Sequence, residues 1–149
     1  MPAKNPRDAL ASLRTLTPRL NAVTDLANNT IRDVEKFLND EVSAGVAAFV
    51  LVEHLDEDGT TWVSLEYRRV GGRFRIALVW YDCGEEKSEK AWADCGRRDK
   101  LVSFAKLPDL LTEIAKKVEA YLGATEATAR TVAASFAKPK QGQDDDIQF

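Results

Sequence analysis

The chain is poor in the residues that do chemistry at neutral pH: one histidine, His54, and two cysteines, Cys83 and Cys95, among 149 residues. Two thiols without a close cluster of further ligands make neither a disulfide framework nor a metal site, and in a cytosolic chain such thiols are more often free than bridged. No Gly-rich phosphate loop and no nucleophile motif is present, so the sequence predicts a protein that is not an enzyme and uses no cofactor. Glu53, Asp56, Glu57 and Asp58 come nearest to a cation loop, but the rest of a calcium loop is missing and a hairpin turn explains them. His54 closes a predicted strand beside Glu53 and reads as a surface residue. Long hydrophobic runs are lacking too. No segment is apolar for long enough to span a membrane, and the N-terminus lacks the layout of a signal peptide, which places the expected protein in the cytoplasm without a membrane partner.

Net charge is −3, with 24 acidic against 21 basic side chains. Asp144, Asp145 and Asp146 account for all of it, leaving a formally neutral body. Such a body does not coat nucleic acid through bulk charge, so any binding has to come from a local patch. At this length a single α+β domain over residues 1–137 is expected to bury its own core. Residues 138–149, holding Pro and Gly and then the acids, are expected to form a flexible tether and a disordered acidic tail.

Helical spacing begins at Leu10, Leu13 and Leu16. Thr17-Pro18 reads as an N-cap and first helical residue, so either a new helix starts there or the first one kinks. Beyond it Leu20, Val23, Ala27, Ile31, Val34, Phe37 and Leu38 share one stripe to about Asp40. That stripe is expected to pack on the sheet of its own chain. Its near-heptad spacing also suits a partner helix, which keeps a homo-oligomer open.

Val46 to Leu55, Trp62 to Val70 and Arg73 to Asp82 read as three antiparallel strands, with Asp56–Gly59 and Gly71-Gly72 as turns. A fourth strand is left open, and Glu85 to Lys90, wholly polar, reads as a loop. Leu101 to Leu122 then carries a helical stripe, in which Pro108 starts or kinks a helix and Gly123 stops one. Thr125 to Ala137 reads as a further weak helix. The echo between Trp80-Tyr81-Asp82-Cys83-Gly84 and Trp92-Ala93-Asp94-Cys95-Gly96 is assigned to chance.

Counting outward from the Gly71-Gly72 turn sets the register of the hairpin. One face collects Val63, Leu65, Tyr67, Ile76, Leu78 and Trp80 and is expected to be core. The other collects Trp62, Ser64, Glu66 and Arg68 with Arg73, Arg75, Ala77, Val79 and Tyr81. Arg68 stands directly opposite Arg75, an unfavourable pairing that needs relief. Glu66 on the diagonal is one source. Phosphates are another, with Trp62 and Tyr81 as stacking faces for unpaired bases, and on this reading Trp62, Arg68, Arg73, Arg75 and Tyr81 bind single-stranded DNA. Phe49 and Leu51 share the face if the first strand joins it, in which case a helix is expected to cover part of it. Arg97, Arg98 and Lys100 read as a solvated surface, or else as a receiver for the phosphate track or for the acidic tail.

The last six residues are Asp144, Asp145, Asp146, Ile147, Gln148 and Phe149. Three carboxylates followed by two apolar side chains and the terminal α-carboxylate fit a basic pocket with an apolar floor. This stretch resembles the C-terminal tip of the bacterial single-stranded-DNA-binding protein (SSB) family, which typically ends Asp-Asp-Asp-Ile-Pro-Phe; here Gln148 takes the Pro position and some stiffness is lost. The resemblance implies that Ile147 and Phe149 anchor the tip in replication, recombination and repair proteins while Asp144, Asp145 and Asp146 lie over a basic rim. The body does not resemble the SSB barrel, and an OB-fold is not expected. Two functions follow. One is a non-enzymatic single-stranded-DNA-binding protein whose sheet face holds DNA and whose tip recruits partners. The other is an adaptor or decoy that mimics the SSB tip without binding nucleic acid.

Overall fold

A computed structural model describes residues 5–146, with side chains described for residues 5–137. Ile147, Gln148 and Phe149 lie outside the described residues, as do the side chains of Asp144, Asp145 and Asp146. The fold is α+β. Helix α1 (Pro6–Phe37) leads into a π turn (Leu38–Val42), strands β1 (Ala48–His54), β2 (Thr61–Val70), β3 (Arg73–Asp82) and β4 (Glu85–Ala91), a 3-10 turn (Trp92–Asp94), and helices α2 (Arg97–Phe104) and α3 (Leu107–Asp146).

Helix α1 starts where Asn5 caps it, its Oδ1 accepting the Arg7 backbone N–H at 2.8 Å with Pro6 in the first turn. Thr17-Pro18 starts no new helix, since α1 continues through Pro18. Instead of capping, the Thr17 hydroxyl donates to the Leu13 carbonyl at 2.8 Å. The expected stop at Gly123 does not occur either: α3 carries on past it, through the segment read as a separate weak helix. The run after Gly123 is rich in alanine and holds a Glu126–Arg130 pair at i,i+4, which favours continuation. Pro108 lies in the first turn of α3 and therefore starts a helix, where its missing N–H costs nothing.

The four strands form one antiparallel sheet in the order β1-β2-β3-β4. Gly71 and Gly72 turn the central hairpin at φ +62° and +89°, and every β2–β3 pair from Val70↔Arg73 out to Trp62↔Tyr81 falls where counting from that turn puts it. Strand β4 replaces the loop expected over Glu85 to Lys90. Its turn is Cys83-Gly84, both at positive φ, a two-residue hairpin of the same kind as Gly71-Gly72. An edge strand exposed on both faces shows no apolar alternation, which is why its sequence resembled a loop; its charges also block edge-to-edge pairing.

Val63, Leu65, Tyr67, Ile76 and Leu78 are buried in one cluster with Ile31 and Leu38 from α1 and the following turn, Trp92, and Leu107, Leu110 and Ile114 from α3. Helices therefore cover the sheet face expected to be core. Trp92 is fully buried, and its indole Nε1 donates to Ser103 Oγ at 2.8 Å. The echoing Trp80 segment is a strand end and hairpin turn, whereas the Trp92 segment is a 3-10 turn entering a helix, so the two share no structure. Among the described residues no helix is long and apolar enough to cross a membrane.

Candidate functional site

The second sheet face is built in cross-strand rows. Leu51, Ser64, Val79 and Glu89 make one row, Phe49, Glu66, Ala77 and Ala91 the next, and Trp62, Tyr81 and Glu86 a third. Phe49 and Leu51 do share this face, and both are exposed, so the β1 side of the face is open. At its centre Ser64, Ala77 and Val79 are small and buried.

Arg68 crosses this centre. Its guanidinium starts on β2 and reaches Glu86 at 2.6 Å and Glu89 at 3.5 Å on β4, so it has to cross β3 over Ala77 and Val79. Glu66 stands 3.8 Å away on the same strand. One cation thus sits among three carboxylates. Tyr81 adds to the network by donating its hydroxyl to Glu66 Oε2 at 2.6 Å. Burial pushes the Glu66 carboxyl above its ordinary value of 4.5, with the Tyr81 hydrogen bond and the Arg68 charge pulling the other way. The Tyr81 phenol is raised by burial and by its bond to Glu66.

Trp62 and Tyr81 stack on each other with ring centroids 5.3 Å apart and planes 12° from parallel. Each ring therefore covers one face of the other. Arg75, directly opposite Arg68, turns away to α1, where its Nε donates to Glu35 Oε1 at 3.3 Å. The opposed arginines are thus relieved by separate carboxylates, Glu66 with Glu86 and Glu89 for one and Glu35 for the other. Glu66 was legible as a neighbour; Glu86, Glu89 and Glu35 were not, because the first two lay in an assumed loop and the third in a helix whose approach to β3 no local pattern reveals. The signal available for β4 was Asp82-Cys83-Gly84, a hairpin turn after a strand.

Arg73 leaves the sheet face for the hairpin end. There two adjoining clefts of about 330 and 310 Å³ share Asn39 and Arg73 in their walls. Arg69 lines the first; Arg32, Lys36, Arg75, Glu35 and Asp40 line the second. Arg69 lies over the Phe74 ring, 5.4 Å from its centroid, and Arg73 makes no ion pair among the described residues. Asn39 anchors this end by donating to the Phe74 carbonyl at 2.9 Å and accepting from the Tyr67 hydroxyl. Of the five residues predicted to bind nucleic acid, the structure brings Trp62, Arg68 and Tyr81 together on the face and Arg73 and Arg75 together at the hairpin end.

In the second predicted basic cluster Arg97 and Arg98 are exposed, as a solvated surface requires, and Lys100 is buried. Lys100 donates to Asn28 Oδ1 at 2.8 Å, Arg97 donates to Asn21 at 2.9 Å, and Arg98 pairs with Glu53 at 3.4 Å. The Asp56 carboxylate closes its hairpin by accepting from Thr60 and Thr61, which holds its pKa below the usual value. Among the described residues no three or more His, Cys, Asp or Glu side chains are arranged to hold a metal ion. Set beside known proteins, the chain matches no family model, no curated protein and no solved structure.

Proposed function

We propose that this chain is a non-enzymatic cytoplasmic adaptor of DNA replication, recombination or repair that captures partner proteins through its acidic tip, Asp144 to Phe149, by occupying the pocket that takes the SSB tip. The tip's chemistry supports the capture: Asp144, Asp145 and Asp146 supply charge, and Ile147 and Phe149 supply the apolar anchor. The observation that carries the choice against a DNA-coating sheet is the ring of Glu66, Glu86 and Glu89 around Arg68. Phosphates laid over that face would meet three carboxylates for one guanidinium, the reverse of the basic groove that single-strand binding uses. Trp62 and Tyr81 already stack on one another, which takes one face of each from any base.

A second reading, single-stranded-DNA binding combined with recruitment by the tip, is favoured by the clefts at the hairpin end. Arg32, Lys36, Arg69, Arg73 and Arg75 converge there against Glu35 and Asp40. DNA would then follow the hairpin end instead of the sheet face. Fluorescence anisotropy of labelled oligothymidylate against the intact chain at low and high salt separates the two. The adaptor gives no binding at low salt. Binding that weakens steeply with salt and is lost in an Arg73→Ala, Arg75→Ala variant establishes the second reading.

A further inference from the structure

The N-terminal half of α1 carries Leu10, Leu13, Leu16, Leu20, Val23 and Leu26, each between 41% and 65% exposed. In the C-terminal half of the same helix Ala27 and Ile31 are buried and Val34 packs on the core. The stripe expected to lie on its own sheet therefore does so for half its length and then runs on past the body. Leu13, Leu20, Ala27 and Val34 recur every seven residues, as do Leu16, Val23, Thr30 and Phe37, the a and d pattern of a helix meeting another helix.

The positions beside the exposed seam are Ser12, Thr17, Arg19, Thr24 and Leu26. Thr17 and Thr24 both turn their hydroxyls back onto their own helix, to the Leu13 and Leu20 carbonyls. Arg19 is the one charge among these flanks, so a helix of the same sequence meets no run of like charge. Arg7, Asp8, Arg14 and Asp25 fall on the outer positions of the repeat.

The exposed surface, 10,707 Å² against roughly 7,500 Å² for a compact chain of 16.5 kDa, reflects two helix extensions that leave the body, the N-terminal half of α1 and α3 beyond Tyr121. Of the two, α1 carries the continuous leucine stripe, whereas α3 beyond Leu122 exposes Val132 and Phe136 singly.

We propose that two copies of the chain associate through the N-terminal halves of their α1 helices, each covering the other's Leu13, Leu16, Leu20 and Val23. The pairing is two-fold, so one patch meets itself and the assembly closes at two. Sedimentation equilibrium of the intact chain, beside a Leu13→Glu, Leu20→Glu variant and a Leu55→Glu control on the body, tests it. The intact chain and the control are expected at twice the 16.5 kDa chain mass, and the double variant at the single mass with the Trp fluorescence of its body unchanged. A single-chain mass for the intact protein at tens of micromolar overturns the proposal. So does a double variant that keeps the doubled mass, which would place the contact elsewhere or on another partner surface.

Discussion

Replacing Arg68 by alanine removes the one cation that Glu66, Glu86 and Glu89 share and uncovers Ala77 and Val79 beneath it. The Arg68 side chain is 26% exposed and that of Glu66 11%, whereas Glu86 and Glu89 are at 38% and 33%. Breaking a fully buried pair costs about 3–5 kcal/mol, and an exposed pair contributes about 0–1 kcal/mol. This network lies between the two, and screening at its β4 end brings the expected loss to about 2 kcal/mol. For a chain of this size that is a fall in Tm of about 4–8 °C. The loss should shrink in acid, because burial raises the Glu66 carboxyl and, once protonated, it no longer needs Arg68. Urea unfolding followed by Trp fluorescence at neutral pH and near pH 4 measures both effects. A loss below about 0.5 kcal/mol at neutral pH, or an equal loss at the two pH values, would refute the role given to Arg68.

Glu66→Gln should leave the fold intact and flatten its pH profile. Because the folded Glu66 value is raised above 4.5, its contribution is fully present below that value and is lost as pH rises through the folded one, so the wild type gains stability in mild acid where the variant does not. Equal urea midpoint shifts between neutral and mildly acidic pH in the two proteins would contradict this. Trp92→Phe removes the hydrogen bond to Ser103 and part of a fully buried side chain, for an expected loss of about 2 kcal/mol by the same unfolding assay. With Cys83 exposed and Cys95 buried, a disulfide-exchange reagent should modify one thiol in the native state and the second only on unfolding. Cys83 should react more slowly than a free thiol near neutral pH, since the neighbouring Asp82 raises its pKa.

Much of the fold was legible because the central hairpin is locally determined. Two adjacent glycines set the turn, period-2 alternation set the faces, and each β2–β3 pair followed from those two facts. The misreadings came from local rules overridden by their surroundings. Proline generally ends a helix, but Pro18 sits on an exposed stretch, where the carbonyl left without its N–H partner is open to solvent. Gly123 was outweighed by the alanines after it. Strand β4 has no core face, so no periodicity marks it, and its pairing with β3 is what makes it a strand. The candidate site was half legible for a related reason. Sequence places side chains on a face, but whether a cation stays free depends on which carboxylates arrive from elsewhere. Arg68 met its partners on β4 and Arg75 its partner on α1, neither of which the hairpin alone reveals.

On the proposed function, the tip competes for the pocket that takes the SSB tip, and the body that carries it does not coat DNA. The most direct measurement is displacement of a fluorescent Asp-Asp-Asp-Ile-Pro-Phe peptide from a purified tip-binding repair protein, using the intact chain and a chain lacking Phe149. Displacement by the intact chain and none by the shortened one is the expected result. Failure of the intact chain to displace the peptide, or equal displacement by both, would contradict it.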